Sequence, residues 1–305
     1  MPVRRWVTID GLVFFCVLLL YILTSGCQTN PYTQRSQLLL MPSGQMNQMG
    51  ATQYSEILQD PKVVISKSPR ETEPVKRVAA RIIEAAKRSK YGEVAKRFDW
   101  EVTVIKDDNT KNAWALPGGK IAVYTGIFPM AKNEAGLAAI MGHEVVHALA
   151  EHGAERMSQG LVAQFGMTTA AIVLSTQGQN PALNDLAMQA MGLGVQTGIL
   201  LPFSRKHESE ADYIGLLLTG DAGYDPREAI HIWERMAAAS DGAPPEFLST
   251  HPAHETRIAD LTQWMPEAMD LYEKALKAPV ADLPRITPSP AQRPPQPQNG
   301  ARFRH

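Results

Sequence analysis

Apolar residues first fall at helical spacing between Glu71 and Lys90, where Val75, Val78, Ala79, Ile82, Ile83 and Ala86 make one buried stripe and predict a helix. Two short strand-like runs follow, Trp100 to Ile105 and Lys120 to Tyr124. Between them Pro117-Gly118-Gly119 forces a turn, so the runs are expected to pair as a small sheet. Beyond Thr125 the strand pattern fades. Asn133 can cap a helix running to about Met157, and further helices are expected over about 160–175, 183–200, 205–219, 226–240 and 253–277. Asp225-Pro226-Arg227-Glu228 carries the N-cap, first-turn proline and third-position glutamate of a capping box. The predicted class is α+β and mostly α-helical.

The two ends follow other patterns. Arg4 and Arg5 precede a short apolar run, Gly11 to Leu23, which ends in Thr24-Ser25-Gly26-Cys27, the layout of a signal peptide over 1–26. Small residues before a cysteine resemble the bacterial lipobox, so Cys27 is expected to carry a lipid. An uncleaved single-span anchor is the other reading, and it needs about 20 apolar residues, more than this run holds. Residues 27–60, rich in Gln, Met, Ser and Gly, read as a lipidated tether, and 61–278 as the folded domain. Pro279 to His305, with seven prolines as far as Pro297, is expected to be disordered. Two inner apolar stretches, Leu161–Leu174 and Leu193–Phe203, are too short to span a bilayer.

Charge narrows the partners. Thirty Lys+Arg against 31 Asp+Glu give a formal net charge of −1, which offers no basic face for nucleic acid. Both cysteines, 16 and 27, lie near the start, so no disulfide framework is available to the folded part.

The chemistry concentrates in His143-Glu144-Val145-Val146-His147, inside a predicted helix. Residues four apart on a helix differ by about 40° in direction, so both imidazoles can share a zinc ion. Glu144, one step round from His143, can reach a water at the metal and act as its base. Catalytic zinc usually keeps three protein ligands, and His152 is out of place for a third in the spacing His147 would require. The best donor is Glu208, in the run Ser204 to Gly215 on a second helix. Asp212, four residues on, shares its face and can accept the free N–H of a ligating histidine. His207 and Glu210 point elsewhere and read as a solvated face.

His143–His147 followed some sixty residues later by Glu208-Ser209-Glu210-Ala211-Asp212 resembles the HtpX-like and CAAX-prenyl-protease-type zinc metallopeptidases, a gluzincin family. Asn112 to Gly126 also looks like the segment preceding the zinc helix there. The likeness covers about Glu71 to Leu261 and favours a soluble periplasmic branch similar to LoiP and the catalytic domain of BepA. It implies a zincin-type domain with a small sheet beside the zinc helix and one Zn2+ per chain. It also implies an edge strand, Lys120, Ile121, Ala122, Val123 and Tyr124, to which an extended substrate adds. His251-Pro252 resembles a His-Pro near the zinc in relatives, where His251 can close the fourth position or donate to the oxyanion; equally, it can be a plain helix-start histidine.

The implied activity is an endopeptidase acting on unfolded or misfolded cell-envelope proteins. A periplasmic chaperone or assembly factor with a vestigial or latent zinc site is the alternative. Gln28, standing where an Asp would retain a lipoprotein in the inner membrane, favours the outer membrane facing the periplasm.

Overall fold

The computed structural model describes residues 26–176, 201–238, 247, 251 and 256–286. The expected leader up to residue 25 and the expected helix over 183–200 lie outside the described residues. The elements in chain order are a hairpin of β1 (Cys27–Thr29) and β2 (Ser36–Leu38), then helices α1 (Ser43–Gln59), α2 (Pro69–Arg88) and α3 (Gly92–Arg97). A three-stranded sheet of β3 (Glu101–Ile105), β4 (Ala113–Leu116) and β5 (Lys120–Tyr124) comes next. A short α4 (Phe128–Ala131) leads into α5 (Glu134–Leu149), α6 (His152–Thr176), α7 (Leu201–Asp221), α8 (Glu228–Ala238) and α9 (Arg257–Lys274). The fold is thus mostly helical with a small sheet, as the periodicity predicts.

Helix α5 is the centre of the core. Asn133 caps it by accepting a hydrogen bond from the Gly136 N–H at 2.8 Å, and every residue of the helix is buried except His147. The stripe on α2 packs against it: Val75, Val78 and Ile82 are fully covered. Helix α7 crosses α5 at two glycines. A Cβ on Gly142 would stand 2.8 Å from the Gly215 carbonyl oxygen, and one on Gly215 would stand 2.8 Å from the His143 backbone nitrogen. Only hydrogen at both positions lets the helices approach this far.

The sheet order is β3-β5-β4, with β3 parallel and β4 antiparallel to β5. Pro117-Gly118-Gly119 makes the β4–β5 turn, and both glycines take positive φ, 84° and 88°. This corrects the expectation that Lys120 to Tyr124 is an edge strand: it is the central strand, buried over Lys120 to Val123 and paired on both sides. Ala113-Trp114-Ala115-Leu116 is too short a run for alternation to reveal it as a strand, yet it occupies the edge.

Other boundaries also shift. The helix capped by Asn133 stops at Leu149 rather than near Met157, because Glu151 turns the backbone left-handed at φ 54° before α6 begins. At Asp225 the side chain accepts from the Arg227 N–H at 3.0 Å, while Glu228 is held by Arg235 instead of closing a capping box, so α8 starts late. Residues read as a tether are folded: Leu39 and Met46 pack with Ala154 of α6, and Tyr54 of α1 is buried against the sheet. The first part of the proline-rich tail is ordered too. Leu283 is buried and its N–H donates to the Lys132 carbonyl at 2.8 Å, while the remainder of the expected disordered tail, 287–305, lies outside the described residues. Among the described residues no helix is long and apolar enough to cross a membrane.

Because the α5–α7 crossing has no room for a methyl group, Gly215→Ala is expected to lower unfolding stability by about 1–3 kcal/mol or more, the usual cost of overpacking. Urea denaturation of the variant beside the parent measures it, and an unchanged midpoint would contradict the crossing described.

Candidate metal centre

Four side chains from three stretches of chain meet below the groove surface. Helix α5 projects His143 and His147 from one face, α7 brings Glu208, and His251 completes the group, its N–H donating to the Phe247 carbonyl at 2.8 Å. Phe247 stacks on the His251 ring, with centroids 4.6 Å apart. His143 Nε2 lies 3.1 Å from His147 Nε2, 3.2 Å from His251 Nδ1 and 3.3 Å from Glu208 Oε2. Glu208 Oε1 lies 3.4 Å from His147 Nε2 and 3.0 Å from His251 Nδ1.

These separations test the fit of a metal. Donors bound about 2.0–2.1 Å from a tetrahedral zinc stand about 3.3 Å from one another, and the measured spacings fall around that value. One ligand atom from each of His143, His147, Glu208 and His251 lies within 4.8 Å of all the others. Nitrogen facing nitrogen at hydrogen-bond distance leaves lone pairs converging on a common point. Imidazole and carboxylate together are a zinc-type donor set.

Glu144 stands beside this cluster and is not a member of it. Its Oε1 is buried without a hydrogen-bond partner, 3.3 Å from His251 Nε2 but not aligned with it. Burial pushes its carboxyl above the ordinary range, as a proton acceptor in the cleft requires. Burial likewise holds His147 well below its usual value, so that ring is neutral with a lone pair to give. For Glu208, burial works toward protonation, but hydrogen bonds with His143 and His251 and the nearby His147 outweigh it and keep the carboxylate ionised. His143 behaves oppositely to His147: burial lowers it, yet Asp212 and Glu208 raise it to about 9. A metal ion would displace that proton.

Asp212 sits where the sequence places it, its Oδ1 2.9 Å from His143 Nδ1. What holds Asp212 is Arg257, fully buried, which donates to it at 2.7 Å and lies with its guanidinium 3.6 Å from the Trp233 ring centroid. Asp212 is kept below the usual carboxyl range although burial acts to raise it, chiefly through the Arg257 charge. Cys27, in contrast, lies in β1 and is exposed, apart from this centre. The groove over the centre encloses about 450 Å³ and is walled by Met46 and Gln53 of α1 and Trp114, Ala115 and Leu116 of β4.

Comparison with known proteins agrees with this geometry. A model of peptidase family M48 matches residues 69–265. The chain belongs to peptidase family M48. The mitochondrial metalloendopeptidase OMA1 of Schizosaccharomyces pombe is 45% identical over 171 residues, covering 55% of this chain and 48% of that protein. Human OMA1 is 29% identical over 286 residues, 92% of this chain and 53% of its own length. The beta-barrel assembly-enhancing protease of Escherichia coli is 31% identical over 152 residues, 49% of this chain and 31% of that protein. The chain therefore spans about half the length, or less, of these relatives. The cofactor of an M48 centre with this donor set is zinc. The matches support the family and not specifically its lipoprotein branch. They also correct the placement in a bacterial outer membrane: relatives at up to 45% identity are mitochondrial proteins, and a cysteine after small residues is too short a signal to stand against them.

This M48 member has a second buried cluster beside the first, and His207 and Glu210, expected on a solvated face, are buried members of it. His152 and His207 stack with centroids 4.5 Å apart. Each pairs with the other helix's glutamate: His152 Nε2 with Glu210 at 3.1 Å, His207 Nε2 with Glu155 at 3.0 Å. Arg35, from the N-terminal hairpin, donates to Glu155 at 2.6 Å and 2.8 Å and to Glu210 at 2.8 Å and 2.9 Å. The repeated His-x-x-Glu spacing, 152 to 155 and 207 to 210, is a signal in the sequence that could have found it.

Burial works to raise Glu210, but hydrogen bonds from His152, Arg35 and Thr33 hold it at about 2, and Glu155 is lowered in the same way by His207, Arg35 and Gln37. Carboxyls depressed in the fold stabilise it above their ordinary value of 4.5, and that stabilisation fades as pH falls through the folded value. Arg35→Gln is therefore expected to lower the urea midpoint at pH 7, with the gap to the parent narrowing below pH 4.5. A gap that widened in acid would contradict the assignment.

Proposed function

We propose that this protein is a zinc endopeptidase that cuts unfolded or extended polypeptide lying across the groove. The observation that carries this reading is the buried convergence of His143, His147 and Glu208 beside Glu144, whose Oε1 is buried with no hydrogen-bond partner among the described residues. Those three residues would hold the ion, and Asp212 would fix the His143 tautomer by accepting its Nδ1–H. Zinc bound there supplies a Lewis acid that polarises a peptide carbonyl. Glu144 takes a proton from the attacking water and passes it to the leaving nitrogen. The hydroxyl joins the carbonyl carbon, the C–N bond breaks, and the new amine leaves with Glu144's proton. His251, in contact with both Glu208 oxygens, we assign as the group that closes the fourth position at rest.

The choice of unfolded substrate follows from the edge strand. The Tyr124 N–H donates to the Asn112 carbonyl at 3.1 Å, so alternate residues from Asn112 bond to β5. Ala115 falls between them, with its N–H and C=O facing away from β5 and toward the groove side. An extended segment can add there as a further strand, whereas a folded protein has none to offer. A quality-control role on misfolded chains is in keeping with that preference.

Glu144→Gln is expected to reduce casein cleavage by about 10²–10⁴-fold while zinc content is retained. Cleavage at the parent's rate would dismiss the peptidase reading and favour a protein that holds unfolded chains without cutting them. Ala115→Pro removes one outward N–H from an edge strand, which tolerates proline. It is expected to raise KM for an unfolded substrate by about tenfold, one hydrogen bond's worth, with kcat kept. An unaltered KM would remove β4 from substrate binding.

A further inference from the structure

The two imidazoles on α5 are held from behind in different ways. His143 reaches a carboxylate directly, Nδ1 to Asp212 at 2.9 Å. Among the described residues no carboxylate pairs with His147 Nδ1; instead it lies 3.0 Å from His152 Nδ1, and His152 Nε2 lies 3.1 Å from Glu210. Glu210 in turn accepts from Arg35 and from the Thr33 hydroxyl.

We propose that His152 is a positioning residue of the metal centre, the middle link of a chain His147–His152–Glu210–Arg35 that decides which nitrogen of His147 faces the metal. The proposal rests on the reading of His147 as a ligand. Only one set of tautomers satisfies every contact. With His147 Nε2 free to ligate, its proton sits on Nδ1 and is donated to His152 Nδ1. His152 then carries its proton on Nε2 and donates it to the Glu210 carboxylate. The reverse order would place hydrogen on the nitrogen that faces the ion.

The fold makes this link on purpose-built backbone. In an unbroken helix a residue five positions on would point about 140° away from His147. The left-handed Glu151 ends α5 and re-aims the chain, so that the His152 ring meets His147 with centroids 4.9 Å apart. His207 stacks on its other side at 4.5 Å and an interplanar angle of 15°, which keeps the ring from turning. Because the last link is Arg35, the hairpin of residues 27–38 becomes part of the support of the zinc site.

The test is zinc affinity of the full chain, measured by competition with a chromophoric chelator, together with melting of the metal-free protein. His152→Ala and His152→Leu are expected to bind zinc about 10–100-fold more weakly, the usual loss when a ligand's outer partner is removed. His152→Asn, whose side-chain oxygen can accept at the Nδ1 position, is expected to stay within about threefold of the parent. A Leu variant that binds within about twofold of the parent would overturn the proposal, since it fills the space without accepting a hydrogen bond. So would an Asn variant as weak as Leu. If His147→Ala binds zinc as tightly as the parent, the ligand reading beneath the proposal fails instead. Should the His152 variants not fold, Glu210→Ala, which removes the acceptor for His152 Nε2–H, carries the test: a threefold or larger loss supports the chain of hydrogen bonds, and parent affinity overturns it.

Discussion

The structure depends on the close crossing of α5 and α7 at Gly142 and Gly215. Backbone meets backbone there, and the crossing sets the distance from Glu208 on one helix to His143 and His147 on the other. Ionisable groups follow the two helices into the core, where each would be costly alone. All but Glu144, whose Oε1 has no hydrogen-bond partner among the described residues, are answered. Asp212 has Arg257, Glu208 has three imidazoles, and Glu155 and Glu210 share Arg35. Counter-charges arrive from both ends of the described chain, so the N-terminal hairpin and the last long helix are parts of the site.

That arrangement explains the shape of the cleft. Only His147 of α5 escapes full burial, and it does so toward the groove. Beneath it the donors His143, Glu208 and His251 are buried; above it the edge strand β4 and helix α1 wall a space open to an extended chain. A hydrolytic centre needs both features, a low-dielectric pocket for the proton transfer and an accessible rim for the substrate. This chain aligns with 48% of the Schizosaccharomyces pombe relative, 53% of the human one and 31% of the Escherichia coli one, so much of each lies outside the likeness.

Much of this was legible because it is local. Helical spacing located α2, α5 and α7, and residues four apart identified the faces carrying His143 with His147 and Glu208 with Asp212. What stayed hidden was set by contacts distant in sequence. Arg35 looks like any surface cation until Glu155 and Glu210, 120 and 175 residues away, are placed around it. Arg257 reads as a helix-face charge, and only its stacking on Trp233 and its bond to Asp212 reveal a buried clamp. The contact of His152 with His147 is hidden because the predicted helix continues through Glu151, a position no propensity marks as left-handed. The order of the sheet was likewise invisible, since the brief β4 run lacks alternation.

The central claim is that two histidines of α5 and one glutamate of α7 bind a single zinc ion. Zinc K-edge X-ray absorption of the purified, zinc-loaded chain tests it most directly. The account predicts one zinc per chain with nitrogen and oxygen donors at about 2.0–2.1 Å, imidazole scattering from at least two histidines, and no sulfur. A chain that takes up no zinc, or a spectrum unaltered when His147 is replaced, would contradict it.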